Sequence, residues 1–332
     1  MTSFAWMCAL EAGQPEELLE EAALADELGF DGVLAPDPFH PWTDEGCAGF
    51  VWSWLGAASQ RTSRAWLMNA VTSPNTRYHP AVVAQAAATV ARLTGGRFRL
   101  GVGLGDPIHY LPLGFRRNPY RAQVKSFVEA TNLIRRLLDG QELTVGARFP
   151  LDHARIYSPP LSQVPIYVAA GGPASASLAA KVGDGLIHSV RDPKVSAVRV
   201  LKPFRVSAEA SGREGLPVVA TRWCIHAESP AEAKAALGPL RGMRVPGRGR
   251  SPDPSSYRNA ADALALESLL SDWVVARSSD DLVDVYRPLV DLLEADSVGI
   301  CIASLDPAST MRLVAAEVLP RLRSAGGGRP TV

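Results

Sequence analysis

The chain has 332 residues, 47% of them hydrophobic, which allows a large core and suits one barrel with insertions. Lys plus Arg number 34 and Asp plus Glu also 34, so the net charge is zero, which argues against a nucleic-acid partner or a polybasic membrane contact. No run is apolar enough over the length needed to span a bilayer, and MTSFAWMCALEAGQPEE has no basic segment ahead of an apolar stretch, so a cytoplasmic location is expected.

FAWMCALE (4–11) is a strand-length run, and EELLEEAALADELGF (16–30) places apolar residues at helical spacing. DGVLAP (31–36) reads as a strand, 51–60 as a helix, AWLMNAVTS (65–73) as a strand and 79–96 as a helix closed by glycine. RFRLGVGLG (97–105) is a strand running into a glycine-rich loop. A long helix follows at 119–140, then a polar hairpin at 141–164. VPIYVAAGG (164–172) and DGLIHSV (184–190) are the next strands, with a helix at 175–183 between them. A helix around 193–211 leads to LPVVATRWCIHA (216–227), the seventh strand. A helix at 229–238, an irregular Arg-, Gly- and Pro-rich stretch at 241–256 and further helix over 259–293 precede ADSVGICIAS (295–304). The pattern closes with a helix at 311–323 and a flexible tail at 324–332. Eight strand runs alternating with helices predict one (β/α)8 TIM barrel over 1–323, with a doubly wound sheet as the alternative.

In such a barrel the chemistry sits at the C-terminal ends of the strands. Those ends carry Glu11, Asp37, Ser73, Asp106, Gly171–Gly172, Ser189, His226 and Ser304. APDPFHPW (35–42) crowds Asp37, His40 and Trp42 among three prolines. GVGLGD (101–106) lets backbone approach a flat or anionic ligand but lacks the spacing of a dinucleotide fingerprint. AAGGPASAS (169–177) runs a strand through Gly-Gly-Pro into a helix start, a pattern that suits a phosphate as well as an ordinary turn. The six histidines lack metal-ligand spacing and no G-x-S-x-G elbow is present, so no metal and no serine nucleophile is expected. Cys8, Cys47, Cys224 and Cys301 are scattered, without a C-x-x-C, and read as reduced thiols. Of Trp52 and Trp54, two apart on a helix, one is expected in the core; His188 is as readily a core histidine as a ligand.

PDPFHPW, FVWSWLGAASQRTSR, NAVTSPNTRYHPAVVAQAAATV, GVGLGD, VPIYVAAGGP and KVGDG together resemble the luciferase-like flavin and deazaflavin oxidoreductases, above all the coenzyme F420 branch and its glucose-6-phosphate dehydrogenases. The resemblance covers nearly the whole chain. It implies F420 as cofactor, with FMN as the alternative, and a homodimer acting on a small molecule. It implies cofactor contacts at Asp37, Ser73, Gly105, Asp106, His109, Ala169, Ala170, Gly171, Gly172 and Pro173, and a cis peptide between Ala70 and Val71. Phe39, Trp42, Trp52 and Ser189 are the expected substrate contacts, with Phe50 adding apolar surface and Trp54 as the alternative to Trp52.

Two departures from the dehydrogenase pattern stand out. Its aspartate–histidine–phenylalanine motif, whose histidine is the base, reads Asp37–Pro38–Phe39 here, with His40 two positions on. Asp272 stands where a phosphate-binding arginine is expected, and only Arg191 and Arg248 fall near the positions of its phosphate-binding lysines. Loss of the base favours hydride delivery from reduced F420 to a C=C or C=N bond. Glu11 is then the first choice as proton donor, with His40 and Asp106 as the other catalytic candidates. A monooxygenase using FMN and a non-catalytic cofactor-binding relative stay open as rival readings.

Overall fold

A computed structural model describes residues 1–146, 148–249 and 251–325. The first apolar runs form parallel strands β1 (Ser3–Met7), β2 (Gly32–Ala35), β3 (Trp66–Asn69) and β4 (Phe98–Val102). An antiparallel hairpin interrupts them, β5 (Leu143–Val145) with β6 (Leu151–Ala154). The parallel series resumes with β7 (Ile166–Ala169), β8 (Gly185–Ser189), β9 (Val218–His226), β10 (Val274–Ala276) and β11 (Ser297–Ala303). The order β9-β11-β1-β2-β3-β4-β7-β8 closes when β8 pairs back onto β9, so eight strands make a (β/α)8 barrel and not an open doubly wound sheet. Every residue of β2, β3 and β11 is buried. Strands apolar on both faces fit only a sheet covered outside by helices and filled inside by side chains.

Outside the barrel lie α1 (Pro15–Glu27), α2 (Val51–Arg61), α3 (Pro80–Leu93), the single turn α4 (Pro107–Tyr110) and α5 (Tyr120–Leu138). They are followed by α6 (Pro173–Val182), α7 (Pro193–Ser196), α8 (Lys202–Glu209) and α9 (Pro230–Leu237). Proline at the first helical position recurs, because a missing N–H costs nothing there. The barrel interior is packed by Ala5, Leu34, Trp66, Met68, Tyr167, Ile187 and Val219, while the larger cluster fills the space between strands and helices. A third cluster, with Trp42, Trp223, Leu240, Met243 and Trp273, lies under the long insertion after β9. All four cysteines are free thiols.

The helix expected over 259–293 is corrected to α10 (Pro254–Asp262), α11 (Leu266–Leu270), strand β10 and α12 (Ser279–Asp291). The break follows from VVA at 274–276, which finds a free strand edge. β9 is long, and beyond the part paired with β8 (218–221) its residues 224–226 still need a partner, which β10 supplies. Ser278 then caps α12 by accepting from the Asp281 N–H. The chain closes with α13 (Pro307–Leu313) and α14 (Leu319–Ala325), two residues past the expected boundary. The rest of the tail assigned to 324–332 lies outside the described residues.

Gly101 of β4 fixes how closely β3 and β4 approach. A Cβ there would sit 2.1 Å from the Asn69 carbonyl oxygen. Gly101→Ala is expected to destabilise the protein by about 1–3 kcal/mol through overpacking, read as a lowered midpoint of chemical unfolding; an unchanged midpoint would contradict the tight β3–β4 contact.

Candidate active site

At the C-terminal mouth of the barrel lies a cleft of about 590 Å³. Three stretches of small residues line it, Ala70–Val71 after β3, Gly103–Gly105 after β4 and Ala169–Gly171 after β7. The Ala70–Val71 peptide is cis, the geometry the resemblance implies. Gly105 has φ +90, and a Cβ on it would come within 2.6 Å of Ser73 Oγ. With so little side-chain bulk on these walls, the cleft suits a flat heteroaromatic ligand, and its volume lies in the range of small-molecule and cofactor sites.

Asp37 leaves β2 and anchors one wall. Its Oδ2 accepts from Thr72 Oγ1 at 2.8 Å, and its Oδ1 accepts from Arg77 Nη1 at 2.9 Å and Tyr78 OH at 3.0 Å. Thr72 Oγ1 in turn accepts from Asn69 Nδ2 at 2.9 Å, and Asn69 also bridges to the Gly101 backbone, donating at 2.7 Å and accepting at 3.0 Å. The chain Asn69–Thr72–Asp37–Arg77 thus ties β3, β4 and the loop after β2. Both ions are nearly out of water, the Arg77 and Asp37 side chains being 9% and 1% exposed. Burial raises the Asp37 pKa above its ordinary value, and Arg77, Thr72 and Tyr78 pull it back. Arg77 and Tyr78 were not singled out from the sequence; NTRYHP directly after a strand end was the available signal.

Glu11 lies in the turn after β1 and lines the same cleft. Trp42 Nε1 donates to its Oε1 at 3.4 Å, and Oε2 is buried without a partner. Burial pushes the Glu11 carboxyl up to about 7, opposed by its own backbone N–H and by Trp42. A carboxyl that titrates near neutrality and opens onto a cleft is chemically placed to exchange a proton with a bound molecule. His109 faces the same space. Burial pushes its pKa down to about 4, with Arg77, His40 and Arg248 adding to the effect and Asp106 opposing it. Its Nδ1 accepts from the Phe39 N–H at 3.3 Å, so the neutral ring carries its proton on Nε2 and can donate there.

Asp106 is at the cleft but engaged. One oxygen caps α4 by accepting from the Ile108 N–H at 3.4 Å, and the other pairs with Arg248 at 2.9 Å. Ser73, Ser189, Ala169 and Ala170 also line the cleft. Gly171 lines it, but the Gly171 and Gly172 N–H groups point at Ser175 Oγ at 3.3 and 3.2 Å. Gly172 and Pro173 do not reach the wall.

Three other candidates are not brought to the cleft. His40 stacks on Phe39 and places Nδ1 2.9 Å from the Pro252 carbonyl oxygen, tying two loops outside the cavity. Phe39 packs beside the Arg77 guanidinium at 5.5 Å. Trp52 is core, against Phe98 with ring centroids 6.1 Å apart, and Trp54 is buried too, donating to the Pro15 carbonyl oxygen; the expectation that only one is buried is corrected. The flat helix α2 sits between α1, α3 and β3, which leaves neither indole a solvent face.

A second cavity of about 720 Å³ adjoins the first, sharing Gly171, His188, Ser189, Trp223, Met243 and Arg248. His188 stands between them, held by the Ala170 carbonyl oxygen at 2.8 Å and Ser196 Oγ at 2.9 Å. The second cavity is basic. Arg191, Arg199, Arg244 and Arg248 line it against one carboxylate, Asp192, which caps α7. Arg244 stacks over Trp273 at 3.9 Å and donates to the Asp272 carbonyl oxygen, while burial and neighbouring arginines lower its pKa to about 10. Asp272, which stands where the dehydrogenase pattern has a phosphate-binding arginine, is exposed and lines neither cavity. Among the described residues no group of three or more His, Cys, Asp and Glu side chains is placed to hold a metal ion, and no helix is long and apolar enough to cross a membrane.

The model of the luciferase-like monooxygenases matches residues 2–281. The chain is 32% identical over 336 aligned positions to the F420-dependent glucose-6-phosphate dehydrogenase of Nakamurella multipartita, covering 98% of this chain and 97% of that protein. It is 31% identical to the protein of the same name from Rhodococcus erythropolis, covering 94% and 95%. It superposes with a TM-score of 0.89 and 26% identity on an F420-dependent secondary alcohol dehydrogenase solved with an F420–acetone adduct, covering 97% of this chain and 99% of that one. The coenzyme F420-dependent tetrahydromethanopterin reductase of Methanopyrus kandleri, at TM-score 0.78 and 20% identity over 97% and 99% of the two chains, shares the fold.

Removing Arg77 would leave the buried Asp37 carboxylate uncompensated. Arg77→Leu is expected to cost about 3–5 kcal/mol in chemical unfolding, and Arg77→Leu combined with Asp37→Asn is expected to recover much of it. Equal stability of the two variants would contradict the ion pair's role.

Proposed function

The chain belongs to the luciferase-like monooxygenase family, and from that premise we propose that it is an F420-dependent oxidoreductase working as a reductase. Coenzyme F420 is the cofactor, and the residues of the cleft fit it. Ala70–Val71, Gly103–Gly105 and Ala169–Gly171 would hold it along stretches of wall with little side-chain bulk, and His109 Nε2 offers a donor. When bound, the deazaflavin supplies the hydride.

The observation that carries the reading is Glu11, a buried carboxyl with one unpartnered oxygen and a pKa of about 7. Hydride delivered to C=C or C=N leaves a site that needs a proton, and a carboxyl titrating near neutrality can give one up there. The position after Asp37 carries Pro38, which has no acid–base group, so the family's alcohol-oxidising histidine has no counterpart there. His40 is spent on the Pro252 carbonyl and Asp106 on Arg248, and His109, with its pKa lowered to about 4, is a neutral imidazole and a weak acid, so Glu11 is the better proton source. Arg248, over Trp42 at 4.8 Å and paired to Asp106, stands where the cleft and the second cavity adjoin.

The basic cavity bears on the substrate. Arg191, Arg199 and Arg244 form no salt bridge among the described residues. Unpaired guanidinium groups around a cavity suit a carboxylate or phosphate. The substrate is therefore a small organic molecule with an unsaturated carbon or imine near the cofactor ring and an anionic group among the arginines. The homodimer that the sequence resemblance implies and the cytoplasmic location expected from the sequence belong to this reading.

Anaerobic oxidation of reduced F420, followed by deazaflavin absorbance over a panel of enones and imines, tests the proposal. Turnover is expected with members that carry a carboxylate or phosphate, and Glu11→Gln is expected to slow it by at least about tenfold while leaving F420 affinity nearly unchanged. Glucose 6-phosphate is expected not to reduce F420. Reduction of F420 by glucose 6-phosphate at a dehydrogenase-like rate would overturn the reductase reading.

A further inference from the structure

The loop after β2 and the insertion after β9 meet over the cleft, and one buried cation holds them together. Arg241 lies in a 3₁₀ stretch, Gly238–Arg244, with its side chain only 10% exposed. Its Nη1 reaches Glu45 Oε2 at 2.6 Å and the Gly238 carbonyl oxygen at 2.9 Å. Its Nε and Nη2 donate to the two oxygens of Asp262 in α10, at 2.9 and 3.3 Å. The guanidinium thus spans three segments in a fork that a lysine could not reproduce in full.

Glu45 belongs to a turn that touches Glu11. The Gly46 N–H donates to the Thr43 carbonyl at 3.0 Å, and the Cys47 N–H donates to the Glu11 carbonyl at 3.2 Å. A Cβ on Gly46 would lie 2.5 Å from that same Glu11 oxygen, so the turn is flush against it. On the other side of Arg241, a Cβ on Gly242 would lie 2.2 Å from the Trp42 carbonyl oxygen. Trp42 is the residue whose indole donates to Glu11. Both neighbours of the Glu11 side chain and backbone are therefore fixed from Arg241. The loops share a second clasp, Arg258–Asp44 at 2.7 Å, but its side chains are 33% and 43% exposed, where an ion pair contributes little.

We propose that Arg241 is a positioning residue for the proton-bearing carboxyl, acting through Glu45 and the backbone of Trp42 to keep Glu11 dry and hydrogen-bonded to the indole. The inference rests on the reading of Glu11 given above. Without the clasp, the turn at 43–47 and Trp42 separate from Glu11, water reaches Oε2, and the carboxyl returns toward ordinary carboxylate behaviour. The buried Cys301 thiol of β11 is a titratable group close to Glu11, and the clasp does not touch it.

The test is a carbon-13 titration of the glutamate side-chain carboxyls in the wild-type protein and in Arg241→Met, Arg241→Lys and Arg258→Met. In the wild type one carboxyl, absent in Glu11→Gln, is expected to titrate near 7. In Arg241→Met it is expected to fall by about one unit or more, and in Arg241→Lys by less. Arg258→Met is expected to leave it in place. Steady-state kinetics of Arg241→Met are expected to show kcat lowered by about tenfold, the scale of a small misplacement, with F420 affinity unchanged. A Glu11 titration in Arg241→Met identical to wild type, in a variant whose circular dichroism shows it folded, would overturn the inference and leave the function standing. A wild-type Glu11 that titrates with the ordinary carboxyls would overturn both.

Discussion

Glu11 is a carboxyl that the fold buries almost completely. Its backbone is covered by the turn at 43–47, its Oε1 meets the Trp42 indole, and its Oε2 has no partner. Ionising such a group is unfavourable, so burial lifts its pKa from the ordinary carboxylate range to about 7. That constraint needs three distant parts of the chain to meet: the end of β1, the loop after β2 and the insertion after β9. Barrel closure brings the first two together, and the apolar cluster around Trp42, Trp223, Met243 and Trp273 brings the third.

The opposite wall solves a different electrostatic problem. Asp37 is also buried, but an arginine, a threonine and a tyrosine surround it. Two carboxyls at one cleft therefore take opposite roles. Glu11 lacks a cation and holds a proton near neutrality; Asp37 has Arg77 and serves as a fixed point for the loop and for the backbone wall beside it. The Asn69–Thr72 link carries that rigidity into β3 and β4, where Gly101 allows the close approach. Such a division of labour between carboxyls set by their surroundings is a recurring device for acid–base chemistry at neutral pH.

The barrel was legible because its strands are continuous apolar runs, many of its helices begin at proline, and α1, α3 and α5 run into glycine. Glu11, Asp37, Ser73 and Asp106 were legible because strand ends define the mouth of a barrel. What the sequence hid was pairing across long distances. Arg77 and Asp37 are 40 positions apart, and Arg248 and Asp106 are 142 apart, so nothing local announced either bond. His40 and Trp52 were misplaced for a related reason: residue type suggested chemistry, while the direction of the side chain put one on a loop carbonyl and the other in the core. Position 272 read as a lost phosphate contact, yet Arg244 fills the cavity from a segment whose irregular backbone no periodicity could place. The segment 259–293 read as helix because the demand of β9 for an edge partner is a tertiary fact.

The central claim is that Glu11 delivers the proton that accompanies hydride transfer. The pH dependence of the single-turnover rate of reduced F420 oxidation, in wild type and in Glu11→Gln, tests it most directly. The acid form is present below its pKa and is lost as pH rises through it, so the wild-type rate is predicted to be flat below about 7 and to fall above it, and the Glu11→Gln rate to be low and free of that limb. A wild-type rate without a limb near neutrality, or the same limb in both proteins, would contradict the account.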